Sequence, residues 1–241
     1  MTKVDAIAKV MKDNGGVANL DMIYDNIKKY YPTARDSATW QAGIRGVLYR
    51  EIRNNRMFKK IGLSIYALSD YHEEARPKES DKPKMHSYIE GICVELGNFK
   101  GFNTFSADPS ALYRDKLQIR NFTTLPSIPQ FSYYEILREV QRIDVVWFNK
   151  TGLAFPQKVF EVVDSLGTLN SAFNRSLQLR NFRTEFYIVA PEKHRDKYNQ
   201  TIELETYQAD KGRFRFITYD EIKDLYESTF RAKRLESQIF R

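Results

Sequence analysis

The sequence predicts an α+β protein with two domains, the second of them built on a mixed sheet. Residues 1–70 show three segments with helical spacing of apolar residues and then a hairpin pattern, which together predict a winged helix-turn-helix domain. Residues 71–84 are mostly charged and include two prolines, as expected for a solvated linker. Residues 85–241 alternate between helix and strand patterns, which predicts an α/β core.

The helical segments of the first domain have recognisable ends. Apolar residues recur at helical spacing over 4–14, and a pair of glycines stops the pattern. The pattern returns over 21–31 and ends at Pro32. A third helix is predicted to begin with Ser37 as its cap. Its apolar face would hold Trp40, Ile44, Val47 and Leu48.

Basic side chains concentrate on this third helix and on the hairpin after it, which covers 58–68 and turns at Gly62. Between residues 40 and 62 there are six Lys or Arg against one acid. In helix-turn-helix proteins this helix enters the major groove of DNA. We therefore expect contacts to double-stranded DNA from Gln41, Arg45, Tyr49, Arg53, Arg56, Lys59 and Lys60. The alternative is a solvated basic helix in a protein-interaction domain.

The second domain is predicted to begin with a helix over 85–96, stopped by Gly97, and a short strand at 102–107. Residues 108–131 are polar and irregular, and such a long irregular segment is usually functional. Within it, Arg114, Lys116 and Arg120 are expected to contact phosphates. The later elements are predicted as helices over 133–140, 165–182, 191–202 and 220–230 and strands at 185–190 and 213–217.

Two short apolar runs, 142–148 and 158–165, each hold one carboxylate, Asp144 and Glu161. Their β-branched residues favour strands, and the turn at 149–152 suits an antiparallel hairpin that brings the two acids together. A divalent cation is the usual reason to hold two carboxylates close together, so we expect a Mg²⁺ or Mn²⁺ site. The alternative is a pair of strand-end carboxylates that face solvent or a helix N-terminus.

The composition narrows the classes of function. A net charge of +7 with 14% aromatic residues is consistent with a surface that binds a polyanion. The single cysteine, Cys93, excludes an internal disulfide and a multi-cysteine zinc cluster. The three histidines, His72, His86 and His194, do not cluster in sequence, so no His-based site is expected. No apolar run could span a bilayer and no signal-peptide pattern is found, which predicts a cytoplasmic protein of prokaryotic type without a membrane partner.

The first domain resembles the winged-helix domains, including the HARE type, that are joined to restriction and chromatin proteins. The shared features are the apolar pattern of the opening helix, the Trp40, Ile44 and Leu48 core, and the hairpin that ends in Tyr-Ala-Leu.

The second domain resembles the PD-(D/E)xK nuclease superfamily, because a carboxylate falls in each of its second and third strands. A closer likeness covers roughly residues 85–228. It is to a group of restriction-endonuclease-like proteins whose third strand usually reads Phe-Glu-Val-Glu-His-Ser. The segments that carry this likeness are 85–90, 96–101, 106–109, 143–147, 160–165, 187–192 and 216–220.

By this resemblance Asp144 and Glu161 map onto the metal-binding carboxylates. The third motif position, normally Lys and in the closer group Glu, falls on Val163, which can neither bind a metal nor orient a water. Asp164 stands where the closer group has His. Other residues that could supply the missing group are Gln178 and Arg175 on the following helix and Glu90 on the first helix.

The resemblance implies a Mg²⁺-dependent endonuclease of restriction type that hydrolyses double-stranded DNA, with the winged helix adding contacts to DNA. The alternative is a DNA-binding protein whose nuclease-like domain is inactive, because Val163 replaces the third motif residue. A homodimer is a further expectation, since restriction enzymes that act on palindromic sites match the symmetry of the site.

Overall fold

A computed structural model describes residues 1–72, 77, 81–114 and 117–239. The N-terminal part contains the helices α1 (Lys3–Asp13), α2 (Leu20–Asn26) and α3 (Trp40–Arg53). The strands β1 (Val17–Asn19), β2 (Phe58–Lys60) and β3 (Ile65–Leu68) form an antiparallel sheet in the order β1-β3-β2. The helices and the hairpin were predicted from sequence, whereas the short strand β1 was not.

The second part is organised around a five-stranded mixed sheet in the order β10-β9-β8-β7-β4. Its strands are β4 (Asn103–Ser106), β7 (Val145–Phe148), β8 (Pro156–Val162), β9 (Glu185–Ala190) and β10 (Phe214–Thr218). Strands β8, β9 and β10 run parallel, while β7 is antiparallel to both of its neighbours, β4 and β8. The prediction of an α+β protein with a mixed sheet is therefore confirmed.

Helices cover both faces of this sheet. One apolar core joins the sheet to α4 (Lys82–Phe99) and α9 (Tyr219–Ile239), and the other joins it to α5 (Tyr134–Val140), α6 (Leu166–Leu177) and α7 (Arg195–Ile202). The remaining elements are a small hairpin of β5 (Leu112–Tyr113) and β6 (Leu117–Gln118), the short helix α8 (Glu205–Gln208) and several 3₁₀ turns. Within the described residues, no helix is long and apolar enough to cross a membrane.

Gly97 does not stop its helix, contrary to the sequence prediction, because α4 continues to Phe99. A Cβ atom at Gly97 would lie 2.6 Å from both the Thr104 Cγ2 and the Trp147 Nε1 atoms. The Trp147 indole also donates to the carbonyl of Cys93 at 3.1 Å. Gly97 is therefore needed for close packing of α4 on the sheet rather than for ending the helix.

Helix boundaries differ from the sequence prediction at other places too. Helix α3 begins at Trp40 with Thr39 at its N-cap position, so Ser37 is not the cap. Helix α4 begins at Lys82, inside the predicted linker, because Pro83 is acceptable in the first turn of a helix. The linker residues 73–76 and 78–80 lie outside the described part of the chain.

The turn between β2 and β3 packs against the second part of the chain. Glu95, which is fully buried, accepts hydrogen bonds from the backbone and the hydroxyl of Ser64, both at 2.9 Å. Its other oxygen accepts from Tyr113 and Tyr226. A Cβ atom at Gly62 would lie 2.8 Å from the Tyr226 hydroxyl oxygen. This contact joins the hairpin to α4 and α9.

Candidate active site

Asp144 and Glu161 meet where β7 begins and β8 ends. The two strands are antiparallel, and Val145 pairs with Phe160, so Asp144 and Glu161 lie opposite each other one step further along. Asp144 accepts a hydrogen bond from the backbone N–H of Val162 at 2.6 Å. That bond fixes the carboxylate of Asp144 against the neighbouring strand.

Arg175 on α6 holds Glu161 from the other side. The Arg175 Nε donates to Glu161 Oε1 at 2.7 Å, and Nη2 donates to Oε2. Glu161 is completely buried, while the Arg175 side chain retains 21% exposure. A buried carboxylate requires such a partner, and a two-pronged pair with arginine is its strongest form.

Helix α4 brings His86 and Glu90 to the same place. The His86 Nε2 lies 3.6 Å from Glu90 Oε1 and 3.9 Å from Asp144 Oδ1. One ligand atom from each of these three residues lies within 4.8 Å of the other two. The second oxygen of Glu90, Oε2, is buried and has no hydrogen-bond partner in the described structure. These three side chains form a cluster suited to bind a cation.

Asp164 orients the imidazole of His86. The His86 Nδ1 and Asp164 Oδ2 are 2.7 Å apart. The other oxygen of Asp164 accepts a hydrogen bond from the hydroxyl of Tyr219, at the start of α9, at 2.5 Å. This chain of contacts points the Nε2 of His86 at Glu90 and Asp144.

The crowding of acids perturbs their titration. Burial raises the pKa of Glu90 to about 7, against the opposing effect of the neighbouring His86. Burial likewise raises the pKa of Asp144, opposed by the charge of His86, and raises that of Glu161, opposed by the hydrogen bond from Arg175. Burial would lower the pKa of His86, but its hydrogen bond to Asp164 and the neighbouring carboxylate of Glu90 raise it to about 11. Perturbed groups gathered in one place are typical of functional sites.

Some of the residues predicted from sequence for this site lie at the cluster, and others do not. Asp144, Glu161, Glu90 and Asp164 lie at or next to the cluster. Gln178 lies at the end of α6, is exposed, and donates to the carbonyl of Asn174 at 3.3 Å. The side chain from α6 that reaches Glu161 is that of Arg175, while Val163 is 1% exposed within the apolar core.

The three histidines do not cluster in sequence, but the fold brings one of them, His86, next to Glu90 and Asp144. A signal was present in the sequence: His86 and Glu90 are four residues apart in a predicted helix and therefore share one face. The long-range approach of α4 to the ends of β7 and β8 could not be read from spacing alone.

Some of the residues expected to contact DNA are exposed, whereas others contact groups within the chain. Gln41, Tyr49, Arg53, Arg56 and Arg120 are exposed, and Arg45, half-buried, donates to the hydroxyl of Tyr24 at 3.1 Å. Lys59 donates to the carbonyl of Tyr71, and the Lys60 ammonium lies over the rings of Tyr66 and Phe230. Arg114 donates to the carbonyl of Ile61 at 2.9 Å and to Tyr226 at 3.1 Å. Lys116 lies outside the described residues.

Lys59, Lys60 and Arg114, which were predicted to contact phosphates, have partners within this chain. Each of their cationic groups already lies against a carbonyl or an aromatic ring of this chain. Burial also lowers the pKa of Lys60. Among the basic residues of the N-terminal part that were predicted to contact DNA, Arg53 and Arg56, at the end of α3 and in the turn after it, are the exposed ones.

The fold and the site together define an α+β protein in which acidic side chains and a histidine meet at the ends of two strands of a mixed sheet. The family model described as the Type II restriction enzyme NmeDI C-terminal domain matches residues 68–239. The chain therefore belongs to this family, which implies a restriction-type function on DNA. No curated protein and no solved structure matches the chain.

Proposed function

We propose that this protein is a divalent-metal-dependent endonuclease that hydrolyses phosphodiester bonds of double-stranded DNA. The observation that carries the proposal is the buried, unpartnered oxygen of Glu90 beside His86 and Asp144. An unpaired carboxylate oxygen inside a protein is costly, and a cation offsets that cost. Membership of a restriction enzyme family supports DNA as the substrate.

The donor set is consistent with a divalent ion. Carboxylate oxygens from Glu90 and Asp144 and the imidazole nitrogen of His86 are all common ligands of divalent metals. When bound, such an ion would lower the pKa of a coordinated water and neutralise charge on the phosphate. Glu161, predicted as a metal ligand, has both of its oxygens on Arg175, so we assign the metal to Asp144, Glu90 and His86.

Arg175 is our candidate for the group that Val163 lacks. Its guanidinium carries five N–H groups, and the pair with Glu161 uses two of them. The remaining donors can bind a phosphate oxygen of DNA while Glu161 fixes the orientation of the side chain. In this proposal the positively charged side chain beside the acids is Arg175 from α6, and it replaces the lysine that the motif normally has at the position of Val163.

The N-terminal part is proposed to be a winged-helix module that adds contacts to DNA. Its order of three helices and a three-stranded sheet supports this, as does the exposure of Gln41, Tyr49, Arg53 and Arg56 along α3 and just after it. Arginines on a groove-binding helix can contact base edges or phosphates. The hairpin turn would serve to fix the module on the second part, because it is bound there by Glu95 and Tyr226.

Supercoiled plasmid incubated with Mg²⁺ or Mn²⁺ tests the proposed activity. Wild-type protein should nick or linearise the plasmid, and Asp144→Asn should abolish this without unfolding the chain. Asp196→Asn is the matched control, because Asp196 is an exposed acid on α7 and its loss should leave cleavage unchanged. Substrates of varied sequence and methylation state belong in the test, since a restriction enzyme acts only on its own site.

A second candidate is a DNA-binding protein whose nuclease-like part is inactive. Two observations favour it: Arg175 occupies both oxygens of Glu161, and Val163 is buried in the core. This candidate requires binding to DNA that is independent of divalent ions and survives Asp144→Asn. Strand scission that depends on Asp144 would exclude it.

A further inference from the structure

The ligand atoms of the cluster are already spaced for one metal ion. The His86 Nε2 is 3.6 Å from Glu90 Oε1 and 3.9 Å from Asp144 Oδ1. Both distances exceed an ordinary hydrogen bond. In an octahedral site with bonds of about 2.1 Å, neighbouring ligands are roughly 3 Å apart and opposite ligands roughly 4 Å apart. The cluster therefore has the size of a metal site with the ion at its centre.

The imidazole is held as a metal-binding histidine is usually held. One ring nitrogen of His86 contacts Asp164 at 2.7 Å, and Tyr219 in turn donates to Asp164 at 2.5 Å. A carboxylate on the far nitrogen of a histidine fixes the ring and strengthens its other nitrogen as a ligand. The Nε2 of His86 is the nitrogen directed at Glu90 and Asp144.

The ligand chemistry discriminates between metals. Mg²⁺ prefers oxygen ligands in strict octahedral geometry and retains several of its waters. Imidazole nitrogen suits transition ions, whose affinities for such mixed sites exceed that of Mg²⁺. The unpartnered Glu90 oxygen, in a residue that is 1% exposed, supplies an independent reason for a cation at this position.

We propose that His86 is a direct metal ligand and that the site selects a divalent transition ion, represented by Mn²⁺, over Mg²⁺. This inference rests on the proposed function, because it concerns the same site. Asp164 is assigned as a positioning residue that acts through His86. Its replacement by Asn should therefore weaken the binding of Mn²⁺ more than that of Mg²⁺.

Calorimetric titration of Mn²⁺ and of Mg²⁺ into the full-length chain tests the selectivity. Wild-type protein should bind Mn²⁺ at least about 10-fold more tightly than Mg²⁺, and His86→Gln should reduce that ratio about 10-fold. His72→Gln is the matched control, because His72 is exposed and precedes α4 in the chain. An equal ratio in wild type and in His86→Gln would overturn the inference.

Pulsed electron paramagnetic resonance of Mn²⁺ bound to wild-type protein gives a second readout that requires no variant. Directly coordinated imidazole should produce nitrogen modulation, and an all-oxygen environment would overturn the assignment of His86. Plasmid cleavage separates the two proposals. Cleavage without nitrogen coordination would reject His86 as a ligand and leave the nuclease standing, whereas absence of both metal binding and cleavage would reject both.

Discussion

Arg175 donates to both carboxylate oxygens of Glu161, so a fully buried acid at the end of β8 is neutralised by a partly exposed cation from α6. This pair occupies the region where the sequence lacks a polar third motif residue, since Val163 packs into the core. The guanidinium of Arg175 therefore stabilises the buried Glu161, and it also places a positive charge near Asp144. These two roles can be separated by mutation.

Arg175→Met should destabilise the protein by about 3 kcal/mol near pH 8, because it leaves Glu161 buried without its partner. Burial raises the pKa of Glu161, so its protonated form favours the folded state at low pH. This contribution to stability is lost as the pH rises. The cost should therefore be smaller at pH 5 than at pH 8. Chemical denaturation at both values measures it. The double variant Arg175→Met with Glu161→Gln should regain most of the loss, and a double variant as unstable as the single one would contradict this reading.

The pairing of β7 with β8 could be predicted from sequence because it depends on local signals. Apolar runs of strand length, the turn at 149–152 and one acid in each run were enough to place Asp144 against Glu161. The side chain that pairs with Glu161 could not be predicted from sequence. Whether Arg175 or Gln178 reaches the strand depends on the rotation of α6 on the sheet, which the apolar pattern fixes only approximately.

Glu90→Gln should stabilise the metal-free protein near pH 8. Burial raises the pKa of Glu90 to about 7, so this group favours the folded state at low pH, and that contribution is lost as pH rises through about 7. The variant should gain on the order of 1–3 kcal/mol at pH 8 and little at pH 5. Thermal unfolding in the presence of a chelator at both pH values tests this. The same variant should bind Mn²⁺ more weakly, and a variant that is less stable at pH 8 would contradict a cost of burying this carboxylate.

Gly62→Ala should destabilise the contact between the hairpin and the second part by about 1–3 kcal/mol. The added Cβ would lie 2.8 Å from the Tyr226 hydroxyl and 2.9 Å from a Glu95 oxygen. Gly46→Ala is the control, since no atom lies within 4 Å of the Cβ that it adds to helix α3. That change should be neutral or slightly stabilising, because alanine favours a helix. Equal effects at the two glycines in thermal unfolding would argue against a tight contact at the hairpin turn.

Arg53→Glu with Arg56→Glu should weaken binding to double-stranded DNA and reduce its dependence on salt. Both side chains are exposed, so the fold should be unaffected. Arg183→Glu is the control: it is an exposed arginine just before β9, at the end of the sheet opposite to the site. Fluorescence anisotropy over a range of salt concentrations measures both quantities. Unchanged affinity in the double variant would favour a protein-interaction role for the N-terminal part.

Long-range packing explains most of what the sequence analysis missed. Gly97 was predicted to end a helix, but its lack of a side chain is required by Trp147, fifty residues away in the chain. The contact of the Lys60 ammonium with the ring of Phe230, far away in the chain, was likewise not predicted. His86 was set aside because the three histidines do not cluster in sequence, but the fold brings it to Asp144 and Asp164, which are distant in the chain. Helix and strand patterns predict elements, whereas these contacts depend on how the elements meet.

Cleavage of supercoiled plasmid as a function of Mn²⁺ concentration tests the central claim most directly, namely that Asp144, Glu90 and His86 form the metal site of a DNA endonuclease. Wild-type protein should cleave its target with a rate that saturates in Mn²⁺ at the concentration where binding saturates, and chelation should stop it. Folded Asp144→Asn should show neither tight binding of Mn²⁺ nor cleavage. Cleavage that persists in Asp144→Asn or in excess chelator would contradict the account.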